Sequence, residues 1–361
     1  EGYKNEMQQE IAATADPALR LELMRSFAST LLERKLDVDL CIELYQSIVQ
    51  SCPGDPEAYD ALEQLLTMEG NLENLFQLME ARLAESTEEQ KDEILRRLFD
   101  LARDKLKDPS RLGRIASKIL EITPDDTEAL QALVESLENL ENWPKLTALL
   151  ERWSMRIVDP EEKKPLLLKA ADVYERRLSK PEEAARCLRQ IYDNRMDLET
   201  VIPRLLELYE HMGNDLEYAN LLENSLREGD WPTDPQQVLT LWKRLGQVLE
   251  RQAQDPARAL SAWKALWEQF PEDVNAVTHV TRLAYTLEQW NLLVEVMEDQ
   301  VQKATDPEKI NNLALRLSEI YEQRLNRPHD ALAMLERVEA SRRDQMVQER
   351  LVRLRIVTGD F

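Results

Sequence analysis

The residues best suited to catalysis or metal binding in this sequence are three histidines and three cysteines. The histidines lie in separate segments, at His211, His279 and His329. The cysteines form no CxxC pair and have no histidine beside them: Cys41, Cys52 and Cys187. That pattern argues against a zinc site and against a disulfide framework. We therefore predict no metal, no cofactor and a reducing compartment, which favours the cytoplasm.

Motifs for phosphate binding and hydrolysis are missing from the sequence. It contains no GxGxxG, P-loop, HExxH or GxSxG pattern, and only 8 glycines. Carboxylate pairs such as Asp125-Asp126 are frequent, but they stand at predicted helix starts, where capping and the helix dipole account for them. The sequence therefore predicts a protein that is not an enzyme.

Two groups of tryptophans differ in their periodicity. Trp143 and Trp290 recur at one position of a repeating pattern, so we predict that both pack in the core. Four others are less periodic: Trp153, Trp231, Trp263 and Trp267. An exposed member of this second group would be the better ligand-binding candidate.

The charge balance bears on the choice of partner. Acidic residues outnumber basic ones by 69 to 46, and the resulting field should repel phosphate backbones and anionic lipid headgroups. No apolar run is long enough to span a bilayer. We expect neither nucleic-acid binding nor membrane insertion. Before residue 311 there are 61 acidic and 37 basic residues, so a basic protein partner would prefer that part.

The arginine-rich stretch from Arg342 to Arg355 is predicted to be a solvated helix face, or a docking patch for an acidic partner.

Helix-boundary signals recur about every 72 residues along the chain. One class is a capping residue followed by Pro or an acidic residue, as at Asp16-Pro17, Asp159-Pro160 and Asp306-Pro307. Four helices fill each period, so the basic unit is two antiparallel helices in about 36 residues. These signals predict an all-α fold. The predicted helix pairs begin near residues 16, 55, 87, 126, 159, 197, 234, 273 and 306.

The segment LWKRLGQVLERQAQDPARALSAWKALWEQFPED resembles the tetratricopeptide repeat family. The matching positions are Trp242, Leu245-Gly246, Ala259 and Pro271, with one residue inserted between the two helices. Tyr174 with Ala184, and Tyr321 with Ala331, stand at the same places in their copies. The resemblance implies an α-α superhelical solenoid of helix hairpins over residues 1–361. Both ends stop inside a repeat, so we expect a fragment of a longer array.

In this family the first helix of each pair lines the concave surface. Carried over by position, the resemblance implies these partner-binding candidates: Arg25, Ser29, Arg96, Asp100, Arg103, Asp172, Lys243, Gln247, Glu250, Glu319 and Glu322. The paired Lys and Asn residues with which some relatives grip a C-terminal carboxylate are not evident.

Together these features favour a non-catalytic scaffold that binds partner proteins or peptides, similar to long bacterial multi-repeat proteins. Two alternatives stay open. The first is an architectural spacer or self-assembly element, whose surface would lack an open groove. The second is a HAT-like RNA-processing scaffold, which would need a basic stripe along the helices. The oligomeric state is left open.

Overall fold

A computed structural model describes residues 2–34, 36–232, 234–251, 254–338 and 345–359. Arg342, Arg343 and the last two residues lie outside these ranges. All regular secondary structure within them is helical, and it comprises the α-helices α1 to α20. The predicted all-α class is confirmed. Contacts divide the chain into two compact units. Unit 1 runs to Arg156 and includes Arg176–Leu178, and unit 2 holds Ile157–Glu175 and the chain from Ser179.

Unit 1 is a succession of helices in which each packs on the one before and the one after. Their bounds are α1 Gly2–Ala13, α2 Pro17–Glu33, α3 Val38–Ser51, α4 Pro56–Met68, α5 Leu72–Glu85, α6 Glu88–Asp100, α7 Pro109–Ile122, α8 Thr127–Asn139 and α9 Trp143–Ser154. A π-helical turn, Leu101–Leu106, extends α6. The hairpins are α2/α3, α4/α5, α6/α7 and α8/α9.

Unit 2 has the same organisation, and its helices pack in sequence from α11 onward. Their bounds are α10 Pro160–Arg176, α11 Pro181–Asp193, α12 Leu198–Met212, α13 Asp215–Glu228, α14 Pro235–Arg251, α15 Pro256–Gln269, α16 Val274–Thr286, α17 Trp290–Lys303, α18 Pro307–Gln323, α19 Pro328–Arg337 and α20 Gln345–Thr358. We call the first helix of each hairpin its A helix and the second its B helix. In unit 2, α10, α12, α14, α16 and α18 are A helices.

Aspartates set most of the helix starts. Their carboxylates accept hydrogen bonds from backbone N–H groups of the first turn, which have no partner inside the helix. The aspartates that cap in this way include Asp16, Asp55, Asp108, Asp126, Asp255, Asp273 and Asp306. Proline often follows, because a residue at this position needs no N–H donor. The Asp and Asp-Pro signals in the sequence therefore mark real helix boundaries.

One loop geometry recurs between the A and B helices of four hairpins. A residue in the left-handed region precedes an N–H group that donates to a carbonyl six residues back, which ends the helix tightly. The left-handed residues are Lys107, Ser179, Gln254 and Asn326. The closing hydrogen bonds run from Asp108 to Ala102 (3.2 Å), Lys180 to Tyr174 (2.8 Å), Asp255 to Leu249 (2.9 Å) and Arg327 to Tyr321 (2.8 Å). This turn accommodates the extra residue that the sequence shows between the two helices.

Small residues lie where the B helices cross their neighbours. Ala184, Ala259 and Ala331 are fully buried, as the repeat pattern predicts. At Gly246 the indole of Trp263 lies so close that an added Cβ would stand 2.4 Å from a ring carbon. The backbone of α14 and this ring are therefore in direct contact.

The tryptophans depart from their predicted places. Trp263 and Trp267 are buried, although they are the less periodic residues. Trp143 and Trp290, predicted to be core residues, are only partly buried. The reason is their position at the first residue of a B helix, at the edge of the hairpin. An arginine covers each ring instead: Arg177 over Trp143 and Arg324 over Trp290, both 4.9 Å from the ring centroid.

Candidate partner-binding site

Several residues predicted to face a partner link one A helix to the next. Their cationic groups pair with an aspartate that caps the following A helix. The pairs are Arg25 with Asp55, Arg96 with Asp126 (2.5 Å) and Lys243 with Asp273 (2.5 Å). In both arginine pairs the two residues are 30 positions apart in the sequence, so the two arginines occupy the same register position on their helices. We call these three pairs the cap links.

A second set of predicted residues forms ion pairs one to two turns further along the A helices. Asp172 accepts from Arg204 (2.6 Å), which also binds Glu175. Glu322 pairs with Arg350 (3.0 Å) and with Arg353.

Three more of the predicted residues, Asp100, Arg103 and Glu250, lie within dense networks. Arg103 pairs with Asp100 (3.1 Å), Asp104 (2.9 Å) and Glu128. Glu250 accepts hydrogen bonds from Arg282 and from the Trp263 indole N–H (2.7 Å), and it contacts Nδ1 of His279 at 2.9 Å.

The environment of Glu250 shows why these residues hold the array together. Burial works to raise the pKa of this carboxyl. The hydrogen bonds from Arg282 and Trp263 and the charge of Arg282 outweigh burial and hold the pKa below its usual value. The His279 ring stacks on Trp263 with 4.1 Å between centroids. Glu250 is thus an ionised acceptor fixed on three sides.

Three predicted residues are exposed and free to meet a ligand: Ser29, Gln247 and Glu319. Glu319 lies in α18, at the border of a cleft described below. The A-helix face therefore carries two kinds of residue, those that bind neighbouring hairpins and those that face solvent. The sequence pattern alone does not separate them.

One register position carries an arginine on α6, α14 and α18, and the three arginines differ in their partners. Arg97 pairs with Glu63, and Arg244 pairs with Glu210 (2.5 Å), in each case on the preceding A helix. Arg316 occupies the same position on α18. Among the described residues, no carboxylate pairs with it. The α16–α18 junction therefore presents a guanidinium that the fold does not use.

A cleft of about 490 Å³ opens beside Arg316, between α16, α17 and α18. Tyr285 and Trp290 form one wall, with their rings edge to face and 5.5 Å between centroids. Arg324 lies over Trp290, and Leu293 and Met297 provide apolar surface deeper in the cleft. We call this cleft the Trp290 groove.

Sequence comparison within the chain could have located this groove. The positions of Arg282 and Tyr285 hold other residues in the three corresponding A helices. They are Gln64 and Thr67 in α4, Glu135 and Glu138 in α8, and Glu207 and Glu210 in α12. Only α16 combines a cation and an aromatic ring there. The periodic recurrence of Trp290 favoured a core interpretation, and this difference between copies was the signal that was missed.

Comparison with known proteins gives structural likeness alone. No family model matches the chain, and no curated protein matches its sequence. Among solved structures, a chain of Naa15/Naa10 bound to HypK-THB is similar at 14% identity and a TM-score of 0.37, over 94% of this chain and 56% of that one. The P58(IPK) TPR domain has 14% identity and a TM-score of 0.26, over 94% and 98%. A tetratricopeptide repeat protein from Parabacteroides merdae ATCC 43184 has 15% identity and a TM-score of 0.24, over 73% and 98%.

Likeness at these identities concerns the fold and says nothing about a ligand. The chain's own hairpins carry the decisive features, which are the repeated A–B pairs, the buried alanines and the Gly246–Trp263 contact. This chain is an all-α helical repeat protein. Its length corresponds to about half of the first structure named above.

Within the described ranges, no three His, Cys, Asp or Glu side chains are grouped so that they could hold a metal ion. Burial raises the pKa of the Cys41 thiol to about 11, which keeps it protonated and unreactive at neutral pH. No described helix of the repeat protein combines the length and the apolar character needed to cross a bilayer.

Proposed function

We propose that this repeat protein is a non-catalytic scaffold that binds a segment of a partner protein in the Trp290 groove. The observation that carries this proposal is Arg316, a guanidinium with no described carboxylate partner beside two aromatic rings. Its counterparts Arg97 and Arg244 are used to join hairpins. A cytoplasmic location goes with this proposal.

The groove suits a ligand segment that carries both a carboxylate and an apolar side chain. A hydrogen bond from a guanidinium to a carboxylate contributes about 1.5–3 kcal/mol. The rings of Tyr285 and Trp290 offer a flat apolar surface, and aromatic side chains of this kind dominate the energetics of protein interfaces. The prediction of a basic partner concerns the acidic remainder of the surface and stays a prediction.

Charge reversal at one exposed position tests the proposal. The variant Arg316→Glu removes the unused cation, and Lys309→Glu makes the same charge change on an exposed residue of the same helix. Both variants and the wild-type chain serve as bait in a lysate of the source cells, with quantitative mass spectrometry of the captured proteins. We expect at least one protein that wild type and Lys309→Glu retain and Arg316→Glu loses.

The other results have definite meanings. If all three baits retain the same proteins, the Trp290 groove is not the binding site. If the wild-type chain captures only copies of itself, the self-assembly alternative replaces the scaffold. A salt-resistant capture of RNA by the wild-type chain would favour the HAT-like alternative.

A further inference from the structure

A second groove lies in unit 1, bounded by the B helices α7 and α9 with the end of α8 as its floor. Its volume is 480 Å³. Leu133, Leu137, Leu140 and Leu149 supply the apolar part of the lining. Leu140 is half exposed, at 50%. Leu133 is half-buried, and Leu137 and Leu149 are buried, so the leucines form a strip along the floor of the groove that reaches the surface at Leu140. We call it the α7–α9 groove.

Three cations border this leucine strip. Arg114 on α7 pairs with Glu80 at 2.8 Å. Lys145 and Arg152 lie two turns apart on α9, and both are exposed. In the described part of the chain, no carboxylate pairs with either of them. In a protein with a net charge of −23, two unpaired cations on one helix beside the exposed Leu140 locally reverse the charge of the surface.

Register positions show that this pair of cations is particular to α9 among the four B helices that start after an Asn or a Gln, which are α5, α9, α13 and α17. In the other B helices that start after a capping Asn or Gln, the position of Lys145 is held by Asn74, Glu217 and Leu292. The position of Arg152 is held by Ala81, Asn224 and Asp299. Packing of the repeat therefore does not require a cation at either place. The leucines serve the fold, whereas Lys145 and Arg152 are free to serve something else.

We infer that the α7–α9 groove binds an acidic amphipathic helix of a partner protein, independently of the Trp290 groove. A helix that lies between two helices buries its apolar stripe in the space between them, which is a common mode of peptide recognition. Its leucine-like side chains contact the leucine strip, and its carboxylates meet Lys145 and Arg152. The net negative charge of the whole protein acts at longer range, where salt screens it within about 8–10 Å.

Binding of a defined peptide to the whole chain tests this inference. The probe is a fluorescein-labelled peptide of about 16 residues, long enough to form a helix, with leucines at the i, i+3, i+4 and i+7 spacing and glutamates elsewhere. Fluorescence anisotropy measures its dissociation constant. We expect saturable binding, weakened about tenfold or more by the double variant Lys145→Glu/Arg152→Glu. A counterpart peptide with lysines in place of glutamates should bind the wild-type chain about tenfold more weakly than the glutamate peptide does, or weaker still.

A matched control separates the groove from net charge. Arg20→Glu/Lys105→Glu makes the same change in charge at two exposed cations elsewhere in unit 1, and it should leave the dissociation constant unaltered. The neutral variant Lys145→Gln/Arg152→Gln repeats the test with less effect on folding, and circular dichroism verifies that each variant is helical. Hydrogen exchange locates the bound peptide, because binding should slow the exchange of backbone amide hydrogens in residues 142–152.

Three results would overturn the inference. The first is equal loss of binding in the groove variant and the control variant. The second is equal affinity for the glutamate and lysine peptides. The third is that a uridine oligonucleotide binds and is lost in the Lys145→Glu/Arg152→Glu variant, whereas the acidic peptide does not bind the wild-type chain. The Arg316→Glu variant should bind the acidic peptide in the α7–α9 groove as wild type does, so failure of one groove leaves the other testable.

Discussion

At the scale of single residues, the contacts of Trp263 show how a helical repeat fixes a large side chain. Its indole lies against the backbone at Gly246, stacks on His279 and donates to Glu250. A ring held in three directions has little room to shift. Close approach of the ring therefore requires glycine at position 246, since the Cβ of any other residue would occupy the space of the ring.

Replacing Gly246 by alanine tests this contact. The added Cβ would meet the immobile ring, and overpacking of this kind costs about 1–3 kcal/mol. The better helix propensity of alanine offsets at most about 1 kcal/mol. We expect a net loss of stability and a lower melting temperature by circular dichroism. Gly54→Ala is the control, because no atom lies within 4 Å of its added Cβ. Equal melting temperatures for wild type and Gly246→Ala would show that the ring moves freely.

At the scale of elements, the cap links give an aspartate two functions. The carboxylate of Asp126 accepts from the Ala129 N–H at the start of α8 and pairs with Arg96 on α6. Burial works to raise its pKa, but the hydrogen bonds from Arg96 and the backbone lower it. Stability from this group is therefore present at neutral pH and is lost as the pH falls through its depressed pKa.

Two substitutions at Asp126 separate the helix cap from the ion pair. Asn caps as well as Asp does, so Asp126→Asn should remove only the pair, at a cost of about 0–1 kcal/mol because Arg96 is partly exposed. Asp126→Ala should cost about 1 kcal/mol more. Urea unfolding measures both. The difference between wild type and Asp126→Asn should vanish as the pH falls and the aspartate becomes neutral. At Asp306, which caps α18 without such a link, the Asn variant should match wild type.

Much of the fold could be predicted from helix-boundary signals in the sequence, but much of the candidate partner-binding site could not. Asp-Pro starts and leucine periodicity are local, so they located hairpins such as α14/α15 directly from the sequence. Whether Arg96 or Arg316 is free depends on what the neighbouring hairpin offers at the contact point. That information is spread over two segments about 30–35 residues apart, and a pattern read within one helix does not contain it.

At the scale of the whole molecule, charge is the property that most affects stability. The net charge of −23 produces repulsion among like charges in the folded chain, and dissolved salt screens it. The ion pairs described above are partly buried and are screened less. The balance favours a folded state that gains stability as the ionic strength rises.

Thermal unfolding in low and moderate salt measures this balance. Raising sodium chloride from about 0.02 M to about 0.2 M shortens the screening length severalfold, so the melting temperature should increase by about 2–4 °C, the shift expected for 1 kcal/mol in a unit of this size. Sodium sulfate is avoided because it stabilises proteins by other means. A lower melting temperature in salt would show that the ion pairs outweigh the repulsion.

The cap links also limit how such a chain can be lengthened or recombined. Each link has a cation in one hairpin and its aspartate in the next, and no two of the cations Arg25, Arg96 and Lys243 lie in neighbouring hairpins. A duplicated block of four helices contains both the cation of a link and its aspartate, so the copy keeps the ion pair. A block of two helices contains only one of the two partners, so the copy lacks the ion pair. Exchange of modules between relatives, or by design, should therefore succeed in steps of four helices.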